Sequence, residues 1–114
     1  MNLQSDGVSA LERLHRGDLD AVIFETDDAY VQFAGDPTDT RCEAVGDLNL
    51  AVPLTFEQLQ ELARLRFYPP DADSAGNHWQ HLKGAPPKLL LCLAVTVFRR
   101  VYGSEPSEIT VTEV

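Results

Sequence analysis

The chain has 114 residues, 44% hydrophobic and 24% charged, the make-up of one folded domain (1–114) rather than a disordered segment. Eighteen acidic residues against nine basic ones give a net charge of −9, which disfavours nucleic acid and anionic membrane surfaces and suits a basic protein or peptide partner. No secretory leader is expected at the start, and the apolar run at 89–98 is about half of the ~20 residues that span a bilayer, so a cytoplasmic protein is expected.

In chain order, 1–5 reads as a loose terminus. Val8, Leu11 and Leu14 then recur at helical spacing, with Ser5 or Asp6 as the cap and Gly17 as the stop. From Leu19 the period drops to two. Val22 and Phe24 share one strand face, Asp27-Asp28 makes a two-residue turn, and 29–34 resumes alternation with Val31 and Phe33 opposed to Tyr30 and Gln32. Gly35–Asp39 is a second turn. A longer extended segment is expected from Thr40 to about Leu50, with Cys42 and Ala44 on one face and a bulge at Gly46-Asp47. The three strands form an antiparallel meander.

Pro53 ends that strand, and Thr55 with Gln58 spells a reciprocal capping box for a helix packing through Leu59, Leu62 and 65–67. Tyr68-Pro69-Pro70 stops it. Residues 71–76 form a polar loop expected to be mobile, and 77–82 is expected as a strand carrying Trp79. Pro86-Pro87 opens a helix over 87–102 that Gly103 closes. That helix is apolar nearly all round, and such helices are buried on more than one side. A chain this small is short of cover for both, which points to a partner. The ordered core is expected over about 6–103, with 104–114 an alternating stretch or a tail.

Catalytic and metal-binding patterns fail on chemistry. Asp71, Asp73 and Gly76 begin a calcium loop, but Ala75 and Leu82 stand where ligands are required. His78 and His81 point to opposite faces of a strand and lack a completing ligand; half-exposed polar residues flanking Trp79 are expected. Asp27, Asp28, Asp36 and Asp39 lie in turns, where carboxylates are ordinarily solvated. Cys42, Ser9 and Ser104 belong to no recognisable His-based constellation, and Cys42 and Cys92 are expected as reduced thiols. No enzyme, no cofactor and no metal are expected.

Tyr30-Val-Gln-Phe-Ala34, Cys42-Glu-Ala-Val45, Leu54-Thr with Gln58, Leu62 and Leu65, Phe67 before Pro69, Asn77 before Trp79, and Val101-Tyr-Gly103 with Pro106 follow one another in an order that resembles the TY-Chap group. These domains are similar to type III secretion chaperones and YbjN-like proteins. The resemblance spans roughly 8–110 and departs at Arg66, where a Gly is expected before the aromatic residue. It implies an α+β fold ordered α-β-β-β-α-(β/β)-α, with an antiparallel sheet and its helices packed on one face. It also implies peptide or protein binding without catalysis, and homodimers. The expected function is a non-catalytic, chaperone-like domain whose open sheet face holds an extended protein segment, possible contacts being Val22, Phe24, Tyr30, Gln32 and Trp79. The alternative is an immunity- or antitoxin-like inhibitor with an acidic surface, which calls for one tight and strongly salt-sensitive partner.

Overall fold

The computed structural model describes residues 2–114. The elements run α1 (Leu3–His15), β1 (Val22–Glu25), β2 (Tyr30–Gly35), β3 (Thr40–Ala44), α2 (Phe56–Arg64), β4 (His78–Leu82), α3 (Pro87–Val97) and β5 (Thr110–Glu113), and a π-helical turn at Phe98–Tyr102 extends α3. The five strands form one antiparallel sheet in the order β4-β3-β2-β1-β5. The fold is α+β, with the expected meander at the centre and the helices on one face. The order nevertheless ends in a strand, giving α-β-β-β-α-β-α-β. The stretch taken for a possible tail is β5, which pairs with β1 at the sheet edge and is tied to α1 by an Arg13–Glu113 ion pair.

The core is the helix-facing side of the sheet. Val22, Phe24, Val31, Phe33, Cys42 and Ala44 have no exposed surface, and Leu11, Leu14, Leu90, Leu91, Val97 and Phe98 close over them. Each large apolar side chain so covered contributes about 1.5–3 kcal/mol of transfer free energy. Phe24 and Phe33 meet edge to face, with centroids 5.9 Å apart. Gly7 lets α3 come close: a Cβ there would lie 3.0 Å from a Leu91 methyl and 3.1 Å from the Phe24 ring.

Several boundaries differ from expectation for local reasons. α1 starts at Leu3 because Asn2, rather than Ser5 or Asp6, accepts the Gln4 N–H at 2.9 Å. β3 ends at Ala44, not near Leu50. Gly46 passes so close to the 71–77 turn that a Cβ would fall 2.0 Å from the Gly76 carbonyl, and a 3-10 turn at Asp47–Asn49 follows. The 71–76 loop is built around a buried Ser74, whose hydroxyl accepts the Asp71 N–H at 2.9 Å.

α2 has the expected capping box: Thr55 Oγ1 accepts the Gln58 N–H at 3.2 Å, and Gln58 Oε1 accepts the Thr55 N–H at 2.7 Å. It buries Leu62 and leaves Leu59 exposed, because it lies at the end of the helical layer against the π-helical turn rather than under the sheet. Along α3, Leu90, Leu91, Ala94, Val97, Phe98 and Val101 face inward, while Leu89 and Cys92 stay exposed. No helix among the described residues is long and apolar enough to cross a membrane.

Candidate functional site: the uncovered sheet face

Strand pairing determines which side chains stand together on the side the helices leave bare. Gln32 pairs with Glu43 and Glu43 with Trp79; on the other flank Gln32 pairs with Ile23 and Ile23 with Thr112. Directly opposed residues share a face. One row therefore crosses all five strands, Thr112–Ile23–Gln32–Glu43–Trp79. Tyr30 stands two residues along β2 on the same face, and Arg41 and His81 pair beside the row.

Tyr30, Gln32 and Trp79 thus stand on the same face of the sheet. Val22 and Phe24 do not: they pair with Phe33 and Val31, lie on the helix side and are fully buried. The reason is hairpin parity. With Asp27-Asp28 as the turn, the Thr26 N–H donates to the Ala29 carbonyl at 2.9 Å, and counting outward sets Phe24 against Val31. Val22 and Phe24 therefore lie beneath the sheet, out of reach of anything on the uncovered face.

A continuous polar network orders this face. The Tyr30 hydroxyl donates to Asn77 Oδ1 at 3.0 Å, Asn77 Nδ2 donates to Glu43 Oε1 at 3.1 Å, and Arg41 Nε donates to Glu43 Oε2 at 3.0 Å. His81 lies 3.3 Å from Arg41 Nη1 through Nε2 and 2.9 Å from Asp39 Oδ1 through Nδ1. Its Nδ1–H tautomer satisfies both contacts, donating to the carboxylate and accepting from the guanidinium.

Trp79 sits inside the network. The Arg41 guanidinium carbon is 4.9 Å from its ring centroid, and the Tyr68 ring stacks on it at 4.8 Å and 31°. Tyr68 reaches it because Tyr68 and Trp79 exchange backbone hydrogen bonds of 2.7 and 3.2 Å along the outer edge of β4, which closes part of that edge. Arg41 Nη2 and Trp79 Nε1 are buried, and neither has a hydrogen-bond partner among the described residues. Buried donors without a partner are costly, and a carbonyl or carboxylate oxygen of a ligand reaches these two only once the atoms covering them move.

Arg41, Glu43, Tyr68, Asn77 and His81 are not among the peptide contacts expected from the sequence, although His81 is expected there as a polar neighbour of Trp79. A signal existed for two of them: placing Cys42 and Ala44 on one face puts Arg41 and Glu43 on the other. His78 and His81 do take opposite faces, but His78 is buried rather than half-exposed. Its burial lowers the imidazole pKa, and the Asp47 carboxylate acts in the opposite sense. Burial pushes the Cys42 thiol well up, and Glu43 adds to this, which makes it a poor nucleophile. Both cysteines are free. Among the turn carboxylates, Asp36 accepts the Thr38 and Asp39 N–H groups at 2.9 and 3.1 Å, and Asp27 and Asp28 are exposed.

Comparison with curated proteins and comparison with solved structures each return no match. Residues 5–114 match the family model described as TY-Chap3, T3SS (YopN, CesT) and YbjN peptide-binding chaperone 3. With nearly its whole length inside that match, and with the α+β fold to go with it, the chain belongs to the TY-Chap3 family.

Proposed function

We propose that this chain is a non-catalytic, peptide-binding domain whose uncovered sheet face holds an extended segment of a client protein. The observation that carries the reading is Trp79. It stands half-buried on the sheet face that no helix covers, between Arg41 and Tyr68, and its own Nε1 and the Arg41 Nη2 find no acceptor among the described residues. Trp and Tyr are the side chains most enriched at binding hot spots, and an extended peptide supplies a carbonyl acceptor at every residue. Tyr30 and Gln32 extend the contact across the sheet, with Val22 and Phe24 buried beneath it. The family's description as peptide-binding chaperones supports the same class of partner.

A homodimer belongs to this reading, supported by Leu89, which α3 leaves 59% exposed with the half-covered Leu93 one turn further on. The cytoplasmic placement rests on two free thiols, which a reducing compartment preserves.

The test is fluorescence anisotropy with unstructured peptides selected on the full chain from a random library. Trp79→Ala is expected to weaken them at least about tenfold, as removal of an aromatic anchor does. Unchanged affinity would contradict the reading. Light scattering at tens of micromolar tests the dimer: a clean monomer removes that part alone.

A further inference from the structure

We infer that one end of the sheet carries a second docking groove, shaped for a short apolar segment of a partner protein that bears Lys or Arg. The groove has a volume of about 820 Å³ and runs between the β1–β2 turn and the 49–55 loop, over Gln58 and Tyr102. Its floor has its polar groups engaged. Gln58 Nε2 donates to the Val101 carbonyl at 2.6 Å, and the Tyr102 hydroxyl donates to the Val45 carbonyl at 2.7 Å. Asp47 Oδ1 accepts the Leu54 N–H at 2.8 Å and pins the wall formed by 50–54. That wall is apolar, and Val52 on it is 75% exposed.

Of the seven large apolar side chains left exposed among the described residues, Val52 lines this groove, and Leu48, Phe56 and Leu59 lie on the chain segments that flank the lining in sequence.

The opposite lip identifies the occupant. Asp27 and Asp28 line the groove, and among the described residues their carboxylates accept no hydrogen bond and pair with no cation. Two unpaired negative charges facing an apolar wall suit a ligand that presents an apolar side chain and a cation together. A second copy of this chain carries a net charge of −9 of its own, which works against self-association at this acidic lip.

The groove is separate from the uncovered sheet face, although Asn49 lines it and also donates to Asn77 at 3.3 Å. The inference therefore does not rest on peptide binding at Trp79.

The experiment titrates the isotope-labelled full chain with an eight-residue peptide of alternating Leu and Arg, using a Leu and Glu peptide as control, and follows backbone amide shifts. Saturable shifts at 27–29 and 49–55 are expected with the Arg peptide only, weakening as salt is added. Asp27→Asn with Asp28→Asn, both in an exposed turn, is expected to lower the affinity about fivefold. Val52→Asp, also at an exposed position, is expected to remove binding. Trp79→Ala is expected to leave this probe unaffected, which separates failure here from failure at the sheet face. Unchanged affinity in the double Asp variant would overturn the inference. So would shifts confined to 30–34 and 79–81, or concentration-dependent shifts at 49–55 without peptide, which assign the groove to a second copy.

Discussion

The Arg41 guanidinium lies 4.9 Å from the centre of the Trp79 ring, on neighbouring strands of a sheet face that no helix covers. The same guanidinium pairs with Glu43 at 3.0 Å, so a cation–π contact and a half-shielded ion pair depend on one side chain. Cation–π contacts of this exposure contribute about 0.5–1 kcal/mol, and a surface ion pair up to about 1 kcal/mol. Arg41→Ala is expected to lower the unfolding free energy by about 1 kcal/mol and to shift Trp79 emission to longer wavelength as the ring loses cover. Urea unfolding followed by fluorescence measures both, and an unshifted spectrum argues against the contact.

The two faces of the hairpin should respond differently to truncation. Phe24 is fully buried against Phe33, so Phe24→Ala is expected to cost about 3–5 kcal/mol. Gln32→Ala, one strand away on the uncovered face, is expected to stay within about 0.5 kcal/mol. Comparable urea midpoints for the two variants would mean the sheet is facing the other way.

That face assignment was within reach of the sequence. Asp27-Asp28 as a two-residue turn forces residue 24 opposite 31 and 22 opposite 33, which places all four side chains on one side. Grouping Val22 and Phe24 with Tyr30 and Gln32 contradicts the turn that the same residues specify. Other features were legible because their causes are local: the meander from alternation, the capping box from Thr55 and Gln58, and α3 from its proline and glycine ends. The end of β3 at Ala44 was not, since it depends on Gly76, thirty positions from Gly46. Tyr68 at the site was hidden for the same reason: a long-range bridge to Trp79 puts it there, and two prolines suggested only a helix stop.

Arg66 offers a stability test that leaves the site untouched. It sits at φ +75° just beyond α2, where the Phe67 N–H returns to the Leu62 carbonyl at 3.0 Å and the Arg66 N–H to the Ala63 carbonyl at 3.0 Å. This left-handed helix ending favours glycine, and a non-glycine residue there costs about 1–2 kcal/mol. Glycine returns part of that through its freer unfolded state. Arg66→Gly is expected to stabilise the chain by about 0.5–1 kcal/mol, seen as a higher melting temperature. A lower one would mean the Arg66 side chain has a role that the backbone geometry does not explain.

Two histidines set the expected pH dependence. Burial lowers the His15 pKa against the pull of Asp36, and lowers that of His78 against the pull of Asp47. A lowered folded pKa means that the unfolded chain takes up the proton first. Their contribution is therefore complete above about pH 6.5 and is lost as pH falls below it. The urea midpoint is expected to drop between pH 7.5 and 5.5, and His78→Gln to flatten that drop. A midpoint that rises over the same range would reverse the sign and place His78 in a charged pair.

The most direct measurement of the central claim is backbone amide mapping of the full chain saturated with a selected unstructured peptide. Shifts are expected to concentrate on the row from Thr112 through Ile23, Gln32 and Glu43 to Trp79, with Tyr30 and Arg41 beside it. Shifts confined to α1 and α3, with that row unchanged, would contradict the claim and move the client to the helical side.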